Sequence, residues 1–219
     1  MRRAPFLITA AFSLIFLLML NISLTEGDSY AYSTELISLM IIWIPPFLSR
    51  RGVIDLPWPI IFLIAFSLFL NALGLLTLWY YSTAWWDKLT HLVSGTMVAT
   101  FVTMALLVIM ENSKTIRIPP KWMVFFIFIS VVAFEVIWEM FEFTMDSTVG
   151  TNMQHSLQDT ANDILSNFIN GLLVGVVMAY YLKGHTLKDF VKGLHVERTV
   201  AWFRRNLIEM PPSESMSDK

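Results

Sequence analysis

The sequence predicts an all-α integral membrane protein, a bundle of about six transmembrane helices with both ends of the chain in the cytoplasm. Three observations carry that prediction. Hydrophobic residues make up 56% of the chain and charged residues only 15%, with a mean hydropathy of +0.62. A soluble domain of this size needs far more charge to cover its surface, so the apolar excess points to lipid as the solvent. Six segments, 4–24, 34–49, 58–80, 86–110, 121–145 and 159–182, approach the roughly 20 mostly apolar residues that a spanning helix requires. Fourteen of the 15 Lys and Arg residues then fall on one side of the membrane, the asymmetry that marks the cytoplasmic face.

Taken in order, the first segment follows Arg2 and Arg3 and runs from Ala4 past Leu20. It is longer than a usual signal-peptide core and no small-x-small cleavage site follows, so it reads as a retained first helix. The second segment is the weakest, because Pro45-Pro46 shortens it and suggests a tilted or re-entrant piece; Arg50 and Arg51 lead into the third. Between the third and fourth lie Trp79, Tyr80, Tyr81, Trp85 and Trp86, an aromatic belt at the outer boundary, with Trp58, Trp122, Tyr180 and Tyr181 at the inner one. Lys88, at the start of the fourth segment, is the one cation on the outer side, whereas Lys114, Arg117 and Lys121 separate the fourth from the fifth on the inner side. In the sixth, Gly171 and Gly175 form a Gly-x-x-x-Gly step suited to close approach of a neighbouring helix.

The organisation that follows is a transmembrane bundle over 1–183, a cytoplasmic amphipathic helix on the membrane surface over 184–210, and a disordered tail over 211–219. Leu187, Phe190, Val191 and Leu194 recur at helical spacing beside Lys188 and Lys192, which suits a helix on an anionic inner leaflet. Localisation follows as a multi-pass protein of the cell membrane (plasma or inner), with membrane lipids as its expected partners.

Ionisable residues inside spans are costly, near +3 kcal/mol for Asp at a helix centre on insertion scales, and each asks for a reason. Asp87 and His91 are four residues apart and share a helical face. Glu135, Glu139 and Glu142, at spacings of four and three, form one stripe of the fifth segment. If helical throughout, the entry to the sixth stacks His155, Asp159 and Asp163 at steps of four, with Asn162, Ser166 and Asn170 alongside. The predicted topology puts all these groups in the outer half, with Glu135 about 10 Å deeper than Glu142 at the usual helical rise. His185 and His195 lie on the opposite side.

Packed carboxylates repel unless a cation joins them. The chain has no cysteine, which excludes disulfides, thiolate zinc sites and cysteine nucleophiles, so any metal is held by His, Asp, Glu or Asn. The expected ligand set for a divalent ion is His91, Glu139, Asp159, Asp163, Asp87 and His155. An oxygen-dominated set suits Mg²⁺ or Mn²⁺, and one that includes the histidines suits Zn²⁺. Such an ion near the surface polarises a phosphoryl or carbonyl oxygen and activates water, with Glu139 or Glu142 as general base. The chemistry in view is hydrolysis or transfer on a lipid-borne substrate. An ion- or proton-coupled transporter or channel, with Glu135 and Glu139 as way-stations, stays open, as does a set of polar contacts that only holds helices together.

The same residues carry a family resemblance. Asp87-Lys88-Leu89-Thr90-His91, with Gly95 following, resembles the Asp-x-x-x-His-x-x-x-Gly step of the YjdF-like inner-membrane proteins and is similar to the Asp-Lys-x-x-His opening of VanZ-like proteins. Glu135-x-x-Trp138-Glu139 resembles the Glu-rich fifth-helix motif of the YjdF-like group, and Asp159-x-x-x-Asp163 its step into the last helix. The resemblance covers residues 80–182 and implies a small polytopic membrane protein, without a reaction. His155 stands in a stretch, Gln154–Gln158, that departs from the group's Gly-Asp pattern. Zinc-protease His-Glu-x-x-His and rhomboid-like Gly-x-Ser-x-Gly are absent, as is a phosphatidate-phosphatase Ser-Gly-His turn. Nucleic acid is not an expected partner, because topology accounts for the basic residues.

Overall fold

A computed structural model describes residues 3–83, 85–113, 115–154, 156–184 and 200–201 of the chain. Among these the regular structure is entirely helical, and six of the stretches are long and apolar enough to cross a membrane.

Helix α1 (Arg3–Glu26) ends at Gly27, whose φ of +75° turns the chain into α2 (Ser29–Ile42). Asp28 caps α2 by accepting from the backbone N–H of Tyr30 and Ala31 at 3.0 Å each, so the helix begins five residues before the stretch expected from hydropathy. The Pro45-Pro46 pair breaks the path at Trp43, and the chain continues as the short α3 (Ile44–Arg50), where the prolines occupy first-turn positions that need no N–H donor. The second span is therefore two helices end to end, Ser29–Arg50.

Helix α4 (Trp58–Leu76) stops short of the expected residue 80, because Leu78 adopts a left-handed conformation, φ 59°, before the single turn α5 (Trp79–Ser82). The long helices α6 (Trp86–Asn112), α7 (Pro120–Val149) and α8 (Leu157–Gly184) follow. Gly150, φ +78°, closes α7, and the loop after it is gathered by Asp146, which accepts from Thr151 Oγ1 (2.6 Å) and from the N–H groups of Met153 and Gln154 (2.8 and 2.9 Å). The expected surface helix at 184–210 and the tail at 211–219 fall outside the described residues, apart from Gly184 and the pair 200–201.

The helices pack as two groups of three. In the first, α1, α2 and α4 bury Phe16, Met19, Ile42 and Ala65; in the second, α6, α7 and α8 bury Ala99, Ile127 and Val131. The groups meet along α4 and α6, where Ile60, Ile61, Ile64, Met104 and Leu107 form the seam. Gly171 and Gly175 face α7 closely: a Cβ at Gly171 would stand 3.1 Å from Val131, and one at Gly175 would stand 3.2 Å from the Val124 backbone. Leu14, Leu17 and Leu18 of α1, Ile137 and Phe141 of α7, and Val176 and Val177 of α8 point outward, an arrangement that suits lipid and not water.

Candidate functional site

The site forms where the first turns of α6 and α8 meet the last turns of α7. On α6, Asp87, His91 and Gly95 recur at steps of four and so line one face. Gly95 lets α8 come close, since a Cβ there would collide with the Asn167 side chain. Opposite stand Glu135 and Glu139 of α7, and Asp163, Asn167 and Asn170 of α8.

His91 is the hub. Its Nδ1 lies 2.6 Å from Glu135 Oε1 and its Nε2 3.3 Å from Asp87 Oδ1. A neutral imidazole donates from only one nitrogen, so this double contact requires an extra proton, on the ring or on a carboxyl. The second oxygen of Glu135 accepts from Asn167 Nδ2, and Asn170 Nδ2 donates to the Leu92 carbonyl at 2.9 Å. Every central member is buried: His91, Glu135, Glu139, Asp163 and Asn167 expose 6% of their surface or less.

Three carboxylate oxygens in this setting lack hydrogen-bond partners. Among the described residues, no donor reaches either oxygen of Glu139 or Oδ1 of Asp163, although a buried polar atom without a hydrogen bond costs about 1–3 kcal/mol, more if charged. Yet each has potential metal ligands nearby. One atom from each of His91, Glu135 and Glu139 lies within 4.8 Å of the others, and the same holds for Asp87, His91 and Asp163. Neighbouring ligands stand about 3.4 Å apart on a tetrahedral Zn²⁺ ion and about 3 Å apart on an octahedral Mg²⁺ ion, at bonds of about 2.1 Å. The trios spread over as much as 4.8 Å, so these side chains would draw together to hold an ion, and the His91–Glu135 pair would give up the proton between them.

The structure thus brings together four of the six sequence-expected ligands: His91, Glu139, Asp163 and Asp87. Asp159 is turned to Lys88, Nζ to Oδ1 3.4 Å, at the edge of the cluster. His155 lies outside the described residues. Glu142 accepts from Trp138 Nε1 at 2.8 Å and faces a separate space. That space is a cavity of about 270 Å³ between the two helix groups. Asp87, His91, Glu135 and Glu142 line it from α6 and α7, and Ser67, Asn71 and Leu75 line it from α4. Tyr30 of α2 and Tyr80 and Tyr81 of α5 complete its aromatic wall together with Phe134 and Trp138. Tyr80 Oη donates to Asn71 Oδ1 at 3.3 Å, and burial, opposed in part by a hydrogen bond with Thr90, raises the pKa of that phenol, so it remains a donor. Glu139 and Asp163 do not line the cavity, whereas His91 and Glu135 belong both to its wall and to the carboxylate cluster.

Sequence reasoning placed Glu135 apart as a deeper residue, yet it is the closest partner of His91. The step of four from Glu135 to Glu139 and from Asp163 to Asn167 is the signal that joins them. The contribution of Tyr30, Asn71 and Tyr80 from the first half of the chain had no such signal.

The chain matches the family described as predicted membrane protein (DUF2238) over residues 6–184. No curated protein and no solved structure matches it. The match spans most of the chain, and the protein belongs to that family.

Proposed function

We propose that this member of the DUF2238 family holds a divalent metal ion (Mg²⁺, Mn²⁺ or Zn²⁺) in the outer half of the cell membrane and uses it for hydrolysis or transfer on a lipid-borne group. The observation that carries the reading is Glu139: 5% exposed, with neither oxygen hydrogen-bonded, and within ligand distance of His91 and Glu135. Carboxylates buried together in a low-dielectric setting repel one another strongly, and a divalent ion offsets that repulsion while satisfying the orphaned oxygens. In this reading the ion takes one of two trios that share the His91 ring, Glu135 and Glu139 with His91 on one side or Asp87 and Asp163 with His91 on the other. Glu142, on the cavity side, is the general base. The resemblance to YjdF-like proteins at Asp87, His91, Gly95, Glu135 and Glu139 fits this reading, because those residues converge on the cluster.

The test is metal content. Protein purified in mild detergent without chelator, supplied with each ion and measured by mass spectrometry, should carry about one metal per chain. Whichever of Glu139→Gln and Asp163→Asn falls in the occupied trio should lower occupancy at limiting metal by tenfold or more, at least the effect that outer-shell changes produce. A wild-type chain without metal overturns the reading; unchanged metal in both variants overturns this ligand assignment. One observation favours a second reading, proton- or ion-coupled transport. Both nitrogens of His91 meet carboxylates, an arrangement able to pass a proton between Asp87 and Glu135. A metal-free wild type whose reconstituted vesicles acidify on imposing an ion gradient, and lose that response in His91→Gln, would establish the second reading instead.

A further inference from the structure

The cavity beside the cluster says something about its ligand. We infer that it receives an ammonium group, and this deepens the reading above by naming what the site takes, without requiring the metal to be present. The first ground is charge. Asp87, Glu135, Glu139, Glu142 and Asp163 bring five carboxyl groups to the cluster and the cavity wall. A divalent ion supplies two positive charges and His91 at most one, so at least two negative charges remain to be matched by protons or by another cation. Lys88 stands against Asp159 and is not among the residues lining the cavity, and no Lys or Arg among the described residues lines it. A phosphate or carboxylate would enter against the field of Glu142 and Asp87 with no Lys or Arg in the wall to receive it, and with both nitrogens of His91 already facing Asp87 and Glu135.

The second ground is the wall itself. Rings from three elements line the space, those of Tyr30, Tyr80, Tyr81 and Trp138 among them. Aromatic rings combined with carboxylates form the environment that stabilises quaternary and primary ammonium groups. The third is size: about 270 Å³ accommodates a small headgroup and excludes a bulky sugar or peptide. The Trp138 indole N–H is held by Glu142 at 2.8 Å, which fixes both the ring and the carboxylate in place before a ligand arrives.

The experiment titrates protein in maltoside micelles with dodecyltrimethylammonium, with dodecyl phosphate, and with soluble tetramethylammonium, following tryptophan fluorescence and calorimetric heat. Saturable binding of the long-chain ammonium, at least tenfold tighter than dodecyl phosphate, is expected. Glu142→Gln and Trp138→Leu should each weaken it by about three- to tenfold, the range set by one charge or one ring, while retaining the helical circular dichroism of the wild type. Equal affinity for the phosphate amphiphile, or unchanged affinity in both folded variants, overturns the inference. Tetramethylammonium binding as tightly as the long-chain probe would identify a free amine as the ligand, and weaker binding would identify a lipid-borne one. Metal content measured on the same samples separates the two readings: ammonium selectivity in metal-free protein leaves this inference standing alone, and bound metal without selectivity leaves only the other.

Discussion

Asn167 shows how much of the site depends on a single neutral side chain. It is fully buried, and its amide donates to the Glu135 oxygen that His91 does not use, so both oxygens of that carboxylate are satisfied while those of Glu139 are not. Removing the donor leaves Glu135 half-solvated in a medium without water. Asn167→Ala should therefore cost about 1–2 kcal/mol, between the general cost of a buried unpaired acceptor and the smaller values measured in membrane bundles, read as a lower midpoint of denaturant unfolding in detergent. Asn167→Asp should cost more in chelator, because it sets another carboxyl against Glu135, and should regain part of that stability when metal is added. Stability equal to wild type in both variants would show that the Asn167–Glu135 contact contributes nothing. At this scale the sequence was informative about charge and poor about neutral partners. Asp87, His91, Glu139 and Asp163 stood out because each is expensive in a span. Asn167 and Tyr80 did not, because an amide or a phenol in an apolar run has many ordinary explanations. Glu35, fully buried with Ser23 Oγ donating to its Oε1 at 2.9 Å, carried the same cost signal and could have been found by it.

Helices meet at this site through glycine, and two of the contacts differ in kind. A Cβ at Gly95 would strike the far end of the Asn167 side chain, with Asn170 Nδ2 2.9 Å away. At Gly171 it would meet Val131 Cβ at 3.1 Å and the Phe128 backbone at 3.3 Å. A side-chain end yields more readily than a backbone does, but here the yielding group is the donor that holds Glu135. Gly95→Ala should thus lower metal occupancy while leaving a folded bundle. Gly171→Ala should reduce unfolding stability by about 1–3 kcal/mol through overpacking and affect the site less. Equal effects of the two changes on metal content would sink the distinction. The extents of the elements were legible from hydropathy to within a turn or so, except where local backbone chemistry intervened. The Asp28 cap lengthened the second span at its start, and the left-handed Leu78 ended α4 before its aromatic belt. Neither feature changes mean hydropathy, so an apolar-run argument passes over both.

As a whole, the molecule is two three-helix groups joined along α4 and α6, with the cavity between them and the carboxylate cluster within the second group. The number of spans and the shared faces of Asp87 with His91 on α6 and of Glu135 with Glu139 on α7 followed from composition and helical periodicity, whereas Glu142 faces the cavity and Asp159 turns to Lys88. What did not follow was the cavity, because it depends on how the first group docks on the second, and long-range contacts between apolar faces have no period of their own. The arrangement also makes orientation testable. Six spans put Arg3 and Gly184 on one face, with the α7–α8 loop and the site end on the other, and the Lys and Arg distribution predicts that this second face is the outer one. The chain has no cysteine, so one introduced thiol reports without background. Thr151→Cys, in the loop held by Asp146, should react with a membrane-impermeant maleimide in intact cells. Ser113→Cys, at the far end of α6, should react only after the membrane is permeabilised. The opposite pattern would invert the bundle and place the acid cluster on the cytoplasmic side. A metal site would then draw on the cytoplasmic ion pool and an ammonium ligand would come from the inner leaflet, so this labelling decides which compartment supplies both.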